Sequence, residues 1–405
     1  MWRQLVSSQF YSDKELDLLQ EKKLRALLNH AKLNSKYYSD KLNDIDVDSI
    51  TIDNMSLIPL LSKDDFRKNL DSIFSAVYRR DECFLSETSG STGDALVFYR
   101  DRGWDAAHRS AIYRGMGQFG VRPWDKNIYF WGFIFTRIQK VKVRFLDKLQ
   151  NRERLFFQDD KSITRLLDKI EKFDYIEGYS SVVNNVAVEV IKRGKTFNNI
   201  RMVKCTSEKI YPIYYENVKK AFGVDIVSEY GAAETGIIAF SCPKGKMHVV
   251  RENVILEEVN GKAVVTNLES YSMPIIRYEL GDYVEVIRSK CECGQHSQIV
   301  NDVLGRIGSE IVGNSKSFPS LTLYYVFKFL ALEKNIKLSY QAVQRTVGKL
   351  EVGIVESFDG EEFRYIEKEV MAAFKLYFDD EVEPEVVFGH KAKNTKKMKD
   401  FESLL

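Results

Sequence analysis

The sequence predicts an α/β protein with two domains, a large N-terminal domain and a small α+β C-terminal domain. From about residue 83, apolar β-prone runs alternate with helical stretches, which is typical of a largely parallel sheet. Residues 247–288 contain short, closely spaced strands instead, so the large domain also has a β-rich part and a mixed sheet. Near residue 305 the chain becomes glycine-rich, and the remainder has helix and strand signals of its own.

The first seventy residues or so are predicted to be helical. Residues 12–34 keep apolar side chains near a 3.6-residue period, and Ser12 is suited to cap the N-terminus of that helix. Another helix is expected after Ser62, because its hydroxyl can cap a helix and Asp64 and Asp65 favour the positive end of the helix dipole.

The α/β region contains helical stretches at 182–194 and 211–223. Its predicted strands are 95–99, 127–131, 175–179, 201–205 and 224–231. In the β-rich part, Asn260-Gly261 separates two apolar runs and predicts a tight hairpin turn, because both residue types accept a positive φ.

The boundary between the two domains is placed so that they cover residues 1–307 and 308–405. The C-terminal domain is expected to contain helices near 320–334 and 360–378 and strands near 350–355 and 385–389. No internal repeat is visible in the sequence.

Composition and charge exclude several classes of protein. Lysine plus arginine (60) nearly balances aspartate plus glutamate (58), so no overall field favours nucleic acid. The N-terminal sequence lacks the pattern of a secretory signal, and no apolar run is long enough for a transmembrane segment. We therefore expect a cytoplasmic protein. A homodimer and a monomer both remain open.

One basic stretch departs from this balance. The stretch has two acidic residues, Asp147 and Glu153, and seven basic ones. The basic residues are Arg137, Lys140, Lys142, Arg144, Lys148, Arg152 and Arg154. Two interpretations stay open, namely a solvated helix face and a docking surface for a phosphate-rich cosubstrate or an acidic carrier protein.

A hydroxyl-rich glycine loop is the most informative short segment. Its residues are Thr88, Ser89, Gly90, Ser91, Thr92 and Gly93. The two glycines let backbone N–H groups turn inward, and the hydroxyls add further donors, so the loop can hold a polyphosphate without a lysine. It is neither a Walker A loop nor a dinucleotide fingerprint.

Three cysteines and one histidine form two short clusters in the sequence. Cys242 and His248 make the first pair, and Cys291 and Cys293 the second. Three thiolates and one imidazole suit a closed tetrahedral Zn²⁺ site, whose role would be structural because no coordination position is left for water. His296 competes with His248 for the fourth position.

Four motifs, taken in chain order, resemble the core motifs of the adenylate-forming acyl-CoA synthetase superfamily. The closer resemblance is to its phenylacetate-CoA ligase and CapK-like branch, and it covers essentially the whole chain, including segments 27–42 and 58–69. The four motifs are residues 88–93, 230–234 (YGAAE), 277–282 (RYELGD) and 305–306 (GR).

The resemblance implies an enzyme that uses ATP and Mg²⁺ to convert a carboxylic acid into acyl-AMP and pyrophosphate. Domain 1–307 would bind ATP and the acid, and 308–405 would be a mobile cap, with the active site in the crease. After the cap rotates, the acyl group would pass to an acceptor, expected to be the thiol of coenzyme A.

Family roles carry over to the matching nucleotide-binding positions. Loop 88–93 would hold the β- and γ-phosphates of ATP. Tyr230, Gly231 and Ala232 would form a flat slot for adenine, and Asp282 would accept hydrogen bonds from the ribose hydroxyls of AMP. Arg306 would reach ribose or phosphate from beside the hinge.

The catalytic and acyl-binding roles carry over in the same way. Glu234 would bind Mg²⁺, and Lys396 would bridge the carboxylate and the α-phosphate. Lys397 is the alternate, because Thr395 replaces the family's usual glycine and leaves the register open. Substrate-pocket candidates are Trp131, Tyr179 and Ser180.

Other functions are compatible with the same motifs. The acyl acceptor could instead be a carrier protein or an amine, such as an amino sugar in capsule or O-antigen polysaccharide biosynthesis. A non-catalytic nucleotide-binding protein is a second alternative. Residues 178–182 (GYSSV) lack the final glycine of a nucleophile elbow, which argues against a serine hydrolase.

Overall fold

The computed structural model describes residues 1–87, 96–130, 137–155, 160–207, 210–306, 310–390 and 401–405. The chain forms two compact units, each assembled from two separate stretches. The first unit comprises Met1–Pro123 and Val227–Val303, and the second comprises Trp124–Ile226 and Leu304–Leu405.

The described helices and strands are numbered in chain order. The α-helices are α1 (Trp2–Ser8), α2 (Asp13–Asn34), α3 (Lys36–Lys41), α4 (Lys63–Lys68), α5 (Leu70–Ile73), α6 (Arg102–Gly117), α7 (Arg137–Leu149), α8 (Asp160–Leu167), α9 (Ser180–Lys192), α10 (Pro212–Phe222), α11 (Leu321–Glu333) and α12 (Gly360–Phe378). Short 3-10 helices cover Val47–Ser49, Met55–Leu57, Arg80–Glu82 and Ile170–Lys172. The strands are β1 (Phe84–Glu87), β2 (Val97–Arg100), β3 (Asn127–Phe130), β4 (Arg152–Arg154), β5 (Tyr175–Tyr179), β6 (Met202–Thr206), β7 (Ile226–Ala232), β8 (Gly236–Ser241), β9 (Met247–Val249), β10 (Val254–Val259), β11 (Lys262–Asn267), β12 (Ile275–Ile287), β13 (Ile299–Arg306), β14 (Glu310–Val312), β15 (Ser317–Pro319), β16 (Tyr340–Thr346), β17 (Lys349–Ile354), β18 (Glu383–Phe388) and β19 (Phe401–Ser403).

The first unit combines helices α1–α6 with a sheet in the order β10-β11-β12-β13-β9-β8-β7. The pairs β10–β11, β11–β12, β8–β9 and β7–β8 are antiparallel. Its core includes Leu24, Leu27 and Leu28 of α2 and apolar side chains of β10 and β11. The β-rich part predicted from the sequence lies here.

Two predicted helix starts are confirmed in this unit. Ser12 caps α2 in a complete capping box, in which its hydroxyl accepts from the Glu15 N–H and the Glu15 carboxylate accepts from the Ser12 N–H at 2.8 Å. Ser62 caps α4 by accepting from the Asp65 N–H at 3.0 Å. Each cap satisfies an N–H group that the first turn leaves without a helical partner.

The predicted hairpin turn joins β10 to β11. Val259 pairs with Lys262 across it. Asn260 and Gly261 have φ values of 53° and 77°, as a two-residue type I′ turn requires.

The second unit contains a parallel sheet in the order β6-β5-β3-β4. Ile128 of β3, Ile176 of β5 and Val203 of β6 belong to the same buried cluster as Val186 of α9 and Val218 of α10. This is the strand–helix layering that the alternating sequence pattern predicts.

The C-terminal stretch of the second unit forms a separate sheet in the order β18-β17-β16-β19, accompanied by α11 and α12. Tyr340 stacks on Phe327 with ring centroids 3.9 Å apart. The Tyr211 hydroxyl, just before α10, donates to the Tyr340 carbonyl at 2.6 Å. The C-terminal stretch and the α9–α10 layer therefore share one core.

The α/β fold class is confirmed. The domain limits of 1–307 and 308–405 stay a prediction, although the chain re-enters the second unit at Leu304, close to the predicted boundary. Within the described ranges, no helix combines the length and the apolar character needed to span a bilayer.

Candidate functional site

Glu234 occupies the turn between β7 and β8, and it is only 4% exposed. The Tyr278 hydroxyl of β12 donates to Glu234 Oε1 at 3.2 Å. A buried carboxylate is unusual in a turn, because turns normally leave charged groups in water. The structure therefore holds this motif acid in a defined place.

Neighbouring side chains fix the backbone of the same turn. The Asn267 side-chain amide donates to the Thr235 carbonyl at 3.0 Å, and the Ile237 N–H donates to His108 Nδ1 at 3.0 Å. Both contacts come from other elements, so the position of Glu234 depends on the tertiary structure of the unit.

Asp282 lies in the middle of β12 and accepts a hydrogen bond from the hydroxyl of Tyr230. The distance from Tyr230 Oη to Asp282 Oδ2 is 3.1 Å. The structure thus brings together two residues that the sequence assigned to nucleotide binding, one from each of two motifs 52 positions apart.

A bulge in β12 precedes this aspartate. The pairing shifts between Val264↔Glu279 and Lys262↔Tyr283, and Gly281 within that interval has a φ of 80°. A side chain rarely adopts this conformation, which explains the glycine of the motif. Such a bulge bends the strand and redirects the following side chain, here that of Asp282.

Gly231 is small for a reason internal to the hairpin. It pairs with Ile237 across β7 and β8, and a Cβ atom added to it would lie 2.6 Å from the Gly236 carbonyl oxygen. That contact is with backbone, which has little freedom to move. The glycine would be required here whether or not adenine binds beside it.

The predicted motif at 277–282 and the segment 58–69 meet in the structure. The Leu61 N–H donates to the Arg277 carbonyl at 2.9 Å, and the Glu279 N–H donates to the Leu61 carbonyl at 3.0 Å. Arg277 is buried with a φ of 48°, and its guanidinium donates to the Glu257 carboxylate and to the Ile58 carbonyl. These contacts anchor β12 upstream of Asp282.

Tyr278 is the partner of Glu234 that the sequence interpretation did not single out. It belongs to the RYELGD motif, and it is 1% exposed. The sequence signal that could have identified Tyr278 is its position in the same motif as Asp282, because a buried phenol usually finds a hydrogen-bond partner.

Several predicted site residues lie outside the described part of the chain. These are Thr88, Ser89, Gly90, Ser91, Thr92, Gly93, Trp131, Lys396 and Lys397. Arg306 is the last residue of β13. Tyr179 and Ser180 lie at the junction of β5 and α9 in the second unit, where Ser180 is fully buried.

The cysteine prediction corresponds to a compact cluster in the first unit. One ligand atom from each of Cys242, His248, Cys291 and Cys293 lies within 4.8 Å of all the others. The Cys242 and Cys291 sulfurs are 3.8 Å apart, and Cys293 Sγ is 3.3 Å from His248 Nε2. His296, the competing candidate, is exposed and is not among these four.

The protonation of this cluster suits a cation. Burial lowers the pKa of His248, whose ring is 2% exposed, so the neutral imidazole is favoured. Its Nδ1–H donates to the Ser297 carbonyl at 3.2 Å, which leaves the Nε2 lone pair directed towards Cys293.

The two neighbouring thiols differ from each other. Burial raises the pKa of the Cys293 thiol to about 12. Burial also opposes ionisation of Cys291, but hydrogen bonds from Cys293 and Cys242 outweigh it and lower the pKa of that thiol. A divalent cation bound here would favour the thiolate form of both side chains and take them as ligands.

The sequence is similar to two known proteins over most of its length. No protein-family model matches the sequence. Protein CapK of Staphylococcus aureus is 24% identical over 372 residues, covering 86% of this chain and 80% of CapK. The phenylacetate-coenzyme A ligase of Thermus thermophilus is 22% identical over 397 residues, covering 88% of this chain and 85% of the ligase.

Solved structures of 2-hydroxyisobutyryl-CoA ligase share the fold. The form in the postadenylation state, in complex with R3-HIB-AMP, superposes with a TM-score of 0.73 at 15% identity and covers 98% of this chain and 90% of that one. The form with 2-HIB-AMP and CoA in the thioesterification state has a TM-score of 0.62 at 16% identity, covering 98% and 91%. At these identities the likeness establishes the architecture.

Proposed function

As this chain is a member of the adenylate-forming superfamily, in the branch that includes CapK and phenylacetate-CoA ligase, we propose that it converts a carboxylic acid and ATP into acyl-AMP and pyrophosphate. The observation that carries the proposal is the pair of hydrogen bonds from Tyr278 to Glu234 and from Tyr230 to Asp282. They hold the two motif acids in fixed positions in one unit, around which a nucleotide can bind.

In the first half-reaction, a carboxylate oxygen of the acid attacks the α-phosphorus of ATP. The bond from that phosphorus to the pyrophosphate oxygen breaks, and pyrophosphate leaves. Positioning and charge neutralisation provide most of the acceleration in such chemistry, so the residues act mainly by holding groups in place.

Asp282 is the proposed ribose ligand. Its carboxylate accepts from the ribose hydroxyls, and charge-assisted hydrogen bonds of this kind are strong. Tyr230 already donates to Oδ2 and therefore orients the carboxylate before the nucleotide arrives. The bulge at Gly281 sets the direction of the side chain.

Glu234 is the proposed Mg²⁺ ligand. Its donor set fits a hard cation, since the Tyr278 hydroxyl engages Oε1 while carboxylate lone pairs remain for a metal that prefers oxygen. When bound, Mg²⁺ neutralises phosphate charge. The chain's own contribution is to keep this carboxylate buried and correctly oriented.

The remaining roles rest on sequence position. We propose that loop 88–93 holds the β- and γ-phosphates, that Lys396 neutralises the reacting carboxylate and α-phosphate, and that Arg306 binds ribose or phosphate. Trp131, Tyr179 and Ser180 are proposed to line the acyl pocket.

The second half-reaction transfers the acyl group. The acceptor thiol releases its proton to solvent and its sulfur attacks the acyl carbonyl, the bond from the carbonyl carbon to the phosphate oxygen breaks, and AMP leaves. Coenzyme A is the proposed acceptor, because a 2-hydroxyisobutyryl-CoA ligase with the same fold has been solved with both 2-HIB-AMP and CoA.

The cluster of Cys242, His248, Cys291 and Cys293 is proposed to hold a structural Zn²⁺. A tetrahedron with Zn–S bonds of about 2.3 Å has sulfur–sulfur edges of about 3.8 Å, and the Cys242–Cys291 separation is 3.8 Å. All four positions come from protein side chains, so the ion would join the β8–β9 connection to the loop before β13.

Acid-dependent exchange of pyrophosphate into ATP tests the adenylation. A hydroxamate screen of aryl, short-chain and hydroxy acids with Mg-ATP first identifies an acid that is activated. With that acid, Glu234→Gln keeps an acceptor for the Tyr278 hydroxyl but removes the charge, and we expect exchange to fall about 100-fold or more. Asp282→Asn should raise the KM for ATP by about tenfold.

The matched control is Glu285→Gln on the same strand. Glu285 is exposed and accepts from the Asn301 side chain at 2.8 Å, so its replacement should leave exchange unchanged. Equal activity of wild type, Glu234→Gln and Asp282→Asn would contradict the assigned roles. If no acid supports exchange while ATP still binds, the chain is a non-catalytic nucleotide-binding protein. Product trapping with coenzyme A or an amine then identifies the acceptor.

A further inference from the structure

In the part of helix α7 whose side chains the structure describes, residues 141–149, several apolar side chains face solvent and a charged one faces the protein. Val141, Phe145 and Leu149 are 69%, 63% and 66% exposed. Asp147, by contrast, is buried and receives two hydrogen bonds from Arg154 of β4, at 2.8 and 2.9 Å. This orientation is the reverse of that of an ordinary surface helix.

The exposed apolar residues form one continuous stripe. Val141, Phe145 and Leu149 are spaced by four residues, so they lie one above another along the helix. Leu146, 44% exposed, lies beside this stripe. A contiguous exposed apolar surface of this kind marks an interaction site, because isolated apolar residues would not align.

Basic side chains border the apolar stripe. Lys142 and Lys148 are exposed, and on a helix with 100° per residue they fall on opposite sides of Phe145; Arg144 is exposed beyond Lys148. The only acid in the helix, Asp147, is neutralised by Arg154. Within residues 141–149, the exposed charged side chains of α7 are therefore all cationic.

An exposed tryptophan adjoins the end of the helix. The Asn151 side chain, in the turn after α7, donates to the Trp124 carbonyl at 2.8 Å, and the Trp124 side chain is 53% exposed. Tryptophan and phenylalanine, flanked by lysine and arginine, are the side chains enriched where helices lie at a membrane interface.

We propose that α7 docks the protein on the surface of an anionic phospholipid bilayer. The apolar stripe enters the boundary between headgroups and acyl chains, while Lys142 and Lys148 extend their stems along it and place their ammonium groups among the lipid phosphates. The whole chain carries a formal charge of only +2, so the attraction arises from this helix.

Lipid fits this surface better than the alternatives. A second copy of the chain paired through the same face would bring two cationic α7 surfaces together, and like charges repel. A protein groove that received this stripe would also need an acidic rim on both sides to pair with Lys142 and Lys148. An anionic bilayer supplies negative charge on every side and needs no preformed pocket.

Co-sedimentation with vesicles tests the docking. The full chain is mixed with phosphatidylcholine vesicles, with or without phosphatidylglycerol, at low and high salt. We expect binding to the anionic vesicles, weakened by salt, and little binding to neutral ones. Phe145→Glu/Leu149→Glu and Lys142→Glu/Lys148→Glu should each reduce the partition coefficient by about tenfold or more.

The matched control is Leu18→Glu/Leu33→Glu in α2, which replaces two leucines that are 58% and 81% exposed but lie outside α7. It should bind as wild type does. Circular dichroism and acid-dependent exchange report folding and catalysis separately, and the vesicle assay needs neither ATP nor acid. Equal binding to neutral and anionic vesicles, no binding to either, or a Phe145-dependent complex with a second copy or an acidic carrier protein would overturn the proposal.

Discussion

Tyrosine hydroxyls hold both motif acids of the candidate site. Tyr278 donates to Glu234, which is buried, and Tyr230 donates to Asp282. A buried carboxylate without donors would be strongly destabilising, whereas one with a fixed donor keeps its orientation before a ligand arrives. The phenols therefore act as positioning residues in the proposed adenylation.

The cysteine cluster leads to a prediction on metal content. We expect about one zinc ion per chain in the wild type. Cys293→Ser should lose that zinc, because an alcohol is a poor ligand in place of a thiolate, and its melting temperature should fall. Chelation should lower the melting temperature of the wild type but leave that of the variant unchanged, as measured by calorimetry and elemental analysis.

Cys83→Ser is the control for the zinc prediction. Cys83 lies before β1, outside the four-residue cluster, so this variant should keep its zinc. A wild-type protein that carries no zinc, and that melts at the same temperature with and without chelator, would rule the metal out.

The sequence predicted the three cysteines of this cluster and left its histidine open between His248 and His296. Residue spacing brings either His248 or His296 close to a cysteine in the chain. The pairing of β9 with β13, in which His248 lies opposite Ile299, places this imidazole beside Cys242 and the Cys291–Cys293 pair. That pairing depends on long-range contacts, which a local pattern does not contain.

Local sequence chemistry predicted where two helices begin and where one hairpin turns. Ser12 and Ser62 cap their helices, and Asn260-Gly261 forms its hairpin, because each feature depends on only a few neighbouring residues. The bulge in β12 was not predicted. It arises from the register between β11 and β12, and Gly281 alone is compatible with many turns.

A strand buried on both faces was also missed. The sequence pattern did not predict β8, whose residues are all buried. A short, fully apolar run has no alternation from which to read a strand. Tertiary contacts decide its conformation.

The glycine at position 231 has two explanations, a close backbone contact within the hairpin and space for adenine. A substitution can separate them. Gly231→Ala should lower the free energy of unfolding by about 1 to 3 kcal/mol, because its Cβ would collide with a backbone oxygen of β8. Gly117→Ala is the control, since a Cβ there meets nothing within 4 Å. Denaturant unfolding measures both. A variant with unchanged stability but a raised KM for ATP would favour the adenine slot as the sole reason for the glycine.

The buried carboxyl of Glu356 should make the stability of the protein depend on pH. Burial raises the pKa of Glu356 above its ordinary value of 4.5, although the Ser339 N–H and hydroxyl donate to the carboxylate and oppose this. A raised folded-state pKa means that the carboxyl's contribution is full below pH 4.5 and is lost as the pH rises through the raised value.

Glu356→Gln removes this titration. Its melting temperature should therefore improve relative to wild type as the pH rises from about 4 to 7. Glu367→Gln, at an exposed position of α12, should show no such trend. A difference between Glu356→Gln and wild type that stays constant, or that shrinks, over this range would contradict the assignment.

Both units are discontinuous along the chain, and this has a consequence for biosynthesis. The N-terminal stretch that ends at Pro123 needs partners that extend to Val303. At ordinary translation speeds, the ribosome adds the intervening residues in roughly 10 to 35 s. During that interval the nascent apolar faces of α2 and α6 lack their final neighbours, so they stay exposed to solvent until the later stretch of the first unit has been synthesised.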